Sequence, residues 1–243
     1  MSFLHRPWRL GSGLVMLSYL SMHLANHALG LVSLSAAEAG LRWSIALWQS
    51  VPGTVALYGA FAIHFALALN TLYQRRHWQL PFTEWLRLWS GFGLPLLLIG
   101  HAVSTRLAVT MFDAEPNYEK VIAGLITGGS QGWQVALLAP GWVHGCLGLW
   151  IGLRHRPAMR RAKPALLALL VVVPLLSAGG FARMSQSVEA QQAIVLRHAA
   201  TARPRAAALK VWRQSLLGAY LLMVGTAIAG GRWREYRERR GAS

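Results

Sequence analysis

Apolar residues gather along the chain into six long segments separated by polar and basic stretches. The segments cover roughly residues 11–34, 53–73, 90–112, 132–153, 165–182 and 212–230. A helix needs about 20 residues to cross a bilayer, and each segment has close to this length, the fifth being slightly short. Because a chain in lipid must satisfy its own backbone hydrogen bonds, helices are expected throughout. The pattern therefore predicts an all-α fold, an integral membrane bundle of six transmembrane helices.

Polar residues interrupt the first four apolar segments near their middle, and the last two segments carry no histidine there. The histidines of the first four segments are His23, His27, His64, His101 and His144. Ionisable side chains inside a membrane are costly and mark functional sites by default. Their placement predicts that helices one to four form a core around a functional site.

Composition agrees with the membrane class. The chain is 54% hydrophobic and 13% charged, with 11 Trp and a mean hydropathy of +0.37. Its net charge of +16 does not indicate nucleic-acid binding, because the basic residues lie mostly between the apolar segments. Cys146 is the only cysteine, which excludes an internal disulfide and a thiolate-held iron–sulfur cluster within this chain.

The distribution of Lys and Arg predicts the orientation. With the N-terminus inside, fifteen of the 24 basic residues fall on the inner side and eight in the outer connections, while Arg106 lies within the third segment. The positive-inside rule then places both termini in the cytoplasm. The last outer connection is long and basic, and its Gln, Ala and Arg pattern over residues 185–202 predicts an amphipathic helix outside the membrane.

One membrane domain over residues 1–243 is expected. It divides into a four-helix core at 1–153, a peripheral helix pair with the long outer connection at 154–230, and a charged cytoplasmic stalk at 231–243. The stalk indicates either an attached cytoplasmic part or a simple anchor at the membrane interface.

Neutral imidazole is a standard axial ligand of haem iron, and two such ligands must face each other from different helices at similar depth. His64 and His144 each lie about 12 residues from the outer start of their helices, at ~1.5 Å per residue. His27 and His101 fall at the middle to outer level. In an up-down bundle helices one and three are diagonal, as are two and four. The depths thus predict the pairs His27–His101 and His64–His144, holding two stacked haems b.

The first helix contains two histidines that could pair with His101. His23 and His27 are one turn apart and share a face, so either could be the ligand. Depth favours His27, which leaves His23 to hydrogen-bond a haem propionate, a quinone oxygen or a neighbouring helix. Asn26 is a candidate to orient an imidazole through its second nitrogen. Arg106 either pairs with propionates of the outer haem or extends to the interface.

Glycines near these histidines have two possible roles. They would leave room for a porphyrin, or they would let helices approach closely. The glycines concerned are Gly30, Gly93, Gly100, Gly141, Gly145 and Gly148.

Two other roles stay open for the histidines themselves, proton or ion transport and hydrogen bonding between helices. The membrane segments contain no Asp or Glu away from their ends to complete a proton relay, which argues against transport. Zinc is disfavoured because the histidines lie on different helices at two depths, without carboxylate or thiolate company.

The first-helix stretch His23-Leu-Ala-Asn-His27-Ala-Leu-Gly30, followed in order by His64, His101 and His144, resembles a known membrane module. That module is the six-helix, haem-b-type N-terminal domain of bacterial class III adenylate cyclases, itself similar to the cytochrome b anchors of succinate dehydrogenase and fumarate reductase. The resemblance covers the whole chain in helix count and is specific in the first-helix motif. In that family the sixth helix leads into a cytoplasmic part, often a ferredoxin-like domain and then the cyclase catalytic domain, and neither lies in this sequence.

The resemblance implies that the four histidines hold two haems b and that the respiratory quinone pool is the electron partner or the signal. The expected function is a di-haem b domain that senses or relays redox state to a cytoplasmic adenylate-cyclase-type effector domain or subunit. Membrane lipid, quinone or quinol and a second copy of the chain are further expected partners. The chain itself shows no catalytic constellation. Two alternatives are a cytochrome b anchor of a respiratory dehydrogenase and a haem-free membrane receptor or dimerisation domain.

Overall fold

The chain folds almost entirely into α-helix. The computed structural model describes residues 5–241, apart from the side chains of residues 5 and 201–203. The described residues are 89% helix, and no strand occurs among them. The α-helices of this range are α1 (His5–Ala28), α2 (Leu34–Trp48), α3 (Val51–Gln74), α4 (Phe82–Ala102), α5 (Ala108–Phe112), α6 (Tyr118–Thr127), α7 (Gln131–Leu153), α8 (Pro157–Arg161), α9 (Lys163–Glu189) and α10 (Gln192–Arg240). The all-α prediction is therefore confirmed for residues 5–241.

Several helices have the length and hydropathy of membrane spans, as in a multi-pass membrane protein. Between residues 5 and 241 these spans are Val51–Gln74, Phe82–Phe112, Gln131–Leu153, Lys163–Glu189 and Pro204–Arg240. They match the second to sixth predicted segments. The first predicted segment corresponds to α1, which has 24 residues but is not one of the five, because its Ser, His and Asn side chains lower its hydropathy. A span formed by α1, which would bring the number to six, stays a prediction.

Three of the five spans pack against α1. Helix α1 packs against α3, α7 and α9, and α4 packs against α7. Helix α10 packs against both α3 and α4, so it closes the side of the bundle between them. The last two spans therefore lie against different helices of the predicted core, α9 beside α1 and α7, and α10 beside α3 and α4.

The long outer connection is organised differently from its prediction. Helix α9 continues to Glu189, and α10 begins at Gln192 and runs for 49 residues to Arg240. The stretch 185–202, predicted as a separate amphipathic helix, is thus divided between the end of α9 and the start of α10. Residues 231–240 of the predicted stalk continue α10, and residues 242–243 lie outside the described part.

Two short helices that the hydropathy pattern did not predict, α2 and α6, cover one end of the bundle, here called the capped end. The Ser33 side chain caps α2 by accepting from the Ala36 backbone N–H at 3.0 Å. The Glu38 carboxylate joins α2 to α6 by accepting from the Tyr118 backbone N–H at 2.6 Å. Burial raises the pKa of Glu38, and its backbone hydrogen bonds oppose that rise. The most enclosed apolar cluster lies here: Ala37, Tyr118, Ile122, Ala123, Leu125, Phe181, Met184 and Val188.

Helices α1 and α9 approach closely at two glycines. A Cβ on Gly180 would lie 2.1 Å from the His27 carbonyl oxygen, and one on Gly30 would lie 2.5 Å from the Gly180 carbonyl oxygen. The buried Ser177 hydroxyl, one turn before Gly180, donates to the Leu24 carbonyl at 2.8 Å. Small residues at such crossings let membrane helices pack by direct backbone contact. The 3₁₀ turn Leu29–Leu31 ends α1 at this crossing, short of the predicted residue 34.

Gly180→Ala is expected to lower the free energy of unfolding by about 1–3 kcal/mol, because the new methyl group meets rigid backbone atoms. Thermal unfolding of the purified protein in detergent would measure the change. Gly225→Ala is the matched control, since a Cβ there meets no atom within 4 Å. Equal melting temperatures for the two variants would contradict the close crossing.

Candidate functional site

The core histidines lie at two levels of the bundle. His64 of α3 faces His144 of α7, with ring centroids 6.1 Å apart, and we call these the first histidine pair. His23 of α1 faces His101 of α4, with ring centroids 5.8 Å apart, and these form the second histidine pair. The first pair lies toward the basic end, where α1 begins and α3 and α7 end. The second pair lies toward the capped end.

Hydrogen bonds hold the first pair at the Nδ1 side of each ring. The His144 Nδ1 lies 2.9 Å from the Arg87 carbonyl oxygen, which can only accept, so this nitrogen carries the proton. The His64 Nδ1 lies 3.1 Å from the Ser12 hydroxyl. That hydroxyl already donates to the Trp8 carbonyl at 2.7 Å, so it accepts from His64. Both rings are therefore Nδ1–H tautomers, with the lone pair on Nε2.

His101 has the same arrangement in the second pair. Its Nδ1 lies 2.8 Å from the Gln134 side-chain oxygen, an acceptor, so Nδ1 carries the proton and Nε2 the lone pair. An imidazole that donates from one ring nitrogen and keeps a lone pair on the other is the form that binds metals. Three of the five core histidines are thus fixed in a ligand-competent form by groups outside the pairs.

The structure places His23, not His27, beside His101. The His23 ring stacks on Tyr19, with centroids 5.8 Å apart, and its Nε2 lies 3.2 Å from the His27 Nε2. The His27 ring instead contacts Tyr118 and Phe181 at centroid distances of 5.4 and 6.1 Å. The His27 Nδ1 is enclosed and has no hydrogen-bond partner in residues 5–241. The predicted use of His27 as ligand stays a prediction, and this geometry favours His23.

Asn26 and Arg106 have surroundings that the sequence did not indicate. The Asn26 side-chain N–H donates to the Tyr118 hydroxyl at 2.9 Å, so in this structure it ties α1 to the cap instead of orienting an imidazole. Burial raises the pKa of Tyr118, which keeps this hydroxyl protonated. Arg106 lies in the π turn Val103–Leu107, a kind of helix irregularity frequent at functional sites.

The glycines that border the histidine rings are not those singled out from the sequence. A Cβ on Gly91 would lie 2.5 Å from the His144 Cε1, and one on Gly13 would lie 3.5 Å from the His64 Cε1. Of the predicted set, Gly141 and Gly145 face leucine side chains and Gly30 faces α9 backbone. Those three have the helix-packing role, and the histidine rings lie against the bare backbone at Gly13 and Gly91.

The spacing within each pair tests whether a haem iron fits. A bond between a metal ion and an imidazole nitrogen is about 2 Å long, so two imidazoles on opposite sides of one ion have ring centres roughly 6 Å apart. The first and second pairs, at 6.1 and 5.8 Å, meet that spacing. No group of three or more His, Cys, Asp or Glu side chains converges as a metal site in residues 5–241. Paired imidazoles match the two axial positions of haem iron, so the residues present fit this group.

The two histidine pairs are separated by the same number of residues on α4 and on α7. His101 follows Gly91 by ten residues on α4, and His144 follows Gln134 by ten residues on α7. Ten residues of α-helix span about 15 Å. Because α4 and α7 run antiparallel, Gly91 lies opposite His144 and Gln134 lies opposite His101. This register was the signal that could have identified Gly91 and Gln134 from the sequence.

Ser12 and the Arg87 carbonyl had no comparable sequence signal. Ser12 is a small residue between two glycines, and a backbone carbonyl has no side-chain identity to detect. Both become visible only once α1 is packed on α3 and α4 on α7. No protein-family model, curated protein or solved structure matches the chain.

Proposed function

We propose that the chain is a di-haem b membrane domain that senses or relays redox state. The first histidine pair would hold one haem b, and His101 with a histidine of α1 would hold the other. The observation that carries the proposal is the repeated geometry, in which facing imidazoles have centres about 6 Å apart, as a shared metal ion requires. His64, His101 and His144 each donate from Nδ1 to a group outside the pair, which supports the same conclusion.

The residues around each pair would set its properties. Ser12, Gln134 and the Arg87 carbonyl would fix the ring orientation and raise the basicity of Nε2 by accepting a hydrogen bond from the Nδ1–H of each ring. Leu24 of α1 and Trp142 and Cys146 of α7 form a buried apolar cluster, with Leu166 and Leu170 of α9 packed against it. This cluster would exclude water and lower the local dielectric. When bound, haem b would supply reversible one-electron transfer, with a potential tuned by axial ligands and burial.

The direction of the signal comes from the resemblance and from charge. The basic end would face the cytoplasm under the positive-inside rule, in a bacterial inner membrane. By the resemblance, quinone or quinol would exchange electrons with a haem, and an adenylate-cyclase-type effector domain or subunit would receive the output. The stalk of α10 is tied to the end of α3, where Arg76 pairs with Glu238 at 2.6 Å. Helix α3 also carries His64, so one helix links the first pair to the stalk.

The purified protein in nanodiscs should show a Soret band that shifts on reduction by dithionite, and a short-chain quinol should produce the same shift. The double variant His64→Ala/His101→Ala is the control and should show no band. No Soret band after expression with ample haem would contradict the haem proposal. A Soret band that dithionite shifts and quinol does not would remove the quinone pool as electron donor.

A further inference from the structure

Two arginines border the first histidine pair on its basic side. The Arg9 carbonyl oxygen lies 3.3 Å from the Ser12 hydroxyl, which accepts from His64. The Arg87 carbonyl accepts from His144 at 2.9 Å. Each arginine is therefore connected through its own backbone to one ring of the pair, and the two come from different helices, α1 and α4.

Their charges are not neutralised by ion pairs. Both side chains are half-buried, and neither forms an ion pair with any residue in the described range. Arg9 donates from Nη2 to the neutral Thr71 hydroxyl at 2.8 Å and to the Leu67 carbonyl at 3.5 Å. Glu84 attracts Arg87 without reaching ion-pair distance. Arginines inside a membrane bundle ordinarily pair with an opposite charge, and no carboxylate of the described residues lies within ion-pair distance of these two.

The two arginines occupy matching positions on their helices. Each lies one turn before a glycine that borders a ring of the first histidine pair, Gly13 for Arg9 and Gly91 for Arg87. Both residues therefore lie on the ring-facing side of their helices, toward the basic end. Two cations beside one pair of rings, neither with an ion-pair partner in the described residues, form a site for an anion. Guanidinium groups match carboxylates through paired N–H donors, which makes a carboxylate the fitting partner.

We propose that Arg9 and Arg87 bind the two propionate carboxylates of the haem b held by His64 and His144. This inference rests on the proposed function and adds the orientation of that haem, with its carboxylate edge toward the basic end. Two arginines meet two carboxylates on one edge of the porphyrin, so the charges balance. Arg6, three residues before Arg9, lies exposed and contacts His155 and the Gly152 carbonyl instead, so it has no part in this site.

The test compares haem b with its dimethyl ester, which lacks the charged carboxylates, in nanodiscs of neutral lipid. The apoprotein is loaded with either compound, and transfer of that compound to apomyoglobin is followed spectroscopically. In the double variant Arg9→Gln/Arg87→Gln, one of the two kinetic phases should become about tenfold faster or more, as expected when hydrogen bonds to a charged group are lost. The unchanged second phase shows that the bundle is folded. Arg6→Gln is the matched control and should leave both phases unchanged.

The ester separates this inference from the haem proposal itself. At the first histidine pair, wild-type protein should lose the ester as fast as the double variant loses haem b. At that site the double variant should lose both compounds at the same rate. Equal loss of haem b and ester from wild-type protein would overturn the carboxylate assignment while leaving the haem proposal standing. An arginine effect that appears only in phosphatidylglycerol nanodiscs would assign the site to a lipid headgroup and overturn it as well. Wild-type protein that takes up neither compound would refute the proposed function.

Discussion

His64→Ala should lower the haem content from about two per chain to about one, since a single remaining imidazole cannot supply both axial ligands. His144→Ala should give the same loss, because the two rings face each other at 6.1 Å. The double variant His64→Ala/His144→Ala should lose no more haem than either single variant, since both substitutions act on the same haem. His101→Ala should remove the other half. The pyridine haemochrome assay on purified protein measures each value.

The exposed loop residue His77 provides the control, and His77→Ala should keep the full content. Circular dichroism would establish that each variant keeps its helices. Retention of the wild-type haem content in both His64→Ala and His144→Ala would show that the first pair does not bind haem. Additive losses for the two would contradict their action on one haem.

Gly91→Val should abolish haem binding at the first pair without unfolding the bundle. The added Cβ would lie 2.5 Å from the His144 Cε1, so the imidazole must leave its place and its hydrogen bond to the Arg87 carbonyl. A displaced ring cannot meet the roughly 6 Å spacing that a shared metal ion requires. About half of the haem should be lost, with the remaining spectrum that of the second site.

Gly93→Val is a closely matched control, since it lies on the same helix and a Cβ there meets no atom within 4 Å. Both variants carry the same change in helix propensity, so any difference between them reports the contact with His144. If Gly93→Val loses as much haem as Gly91→Val, the ring of His144 does not lie against α4 as described.

The sequence predicted the helices of the bundle better than their contacts. Long apolar runs determine spans because backbone hydrogen bonds must close within each helix in lipid. The short helices α2 and α6 were missed because they are too short to register as spans. Their packing depends on distant partners, such as the acceptance of the Tyr118 backbone N–H by Glu38. The hydrogen bond from Asn26 to Tyr118 could not be predicted for the same reason, since the two residues are 92 positions apart.

Counting residues from the ends of the predicted helices is too coarse to decide between His23 and His27. The two residues are one turn apart, about 6 Å along the helix axis, and the ends of apolar segments are uncertain by a similar length. The rotation of α1 about its axis decides which ring faces α4, and that rotation follows from packing against α9 at Gly30 and Gly180. The pair His64 and His144 depends less on this rotation, and in the structure their rings lie 6.1 Å apart.

The most direct test of the account is the number of haems b bound per chain of the wild-type protein. It is measured by pyridine haemochrome on material purified in mild detergent after expression with added haem precursor. Two histidine pairs, each with the ring spacing of a shared metal ion, predict about two haems b per chain. A haem content indistinguishable from that of the His64→Ala/His101→Ala variant would contradict the central claim and leave the histidines as hydrogen-bonding groups between helices.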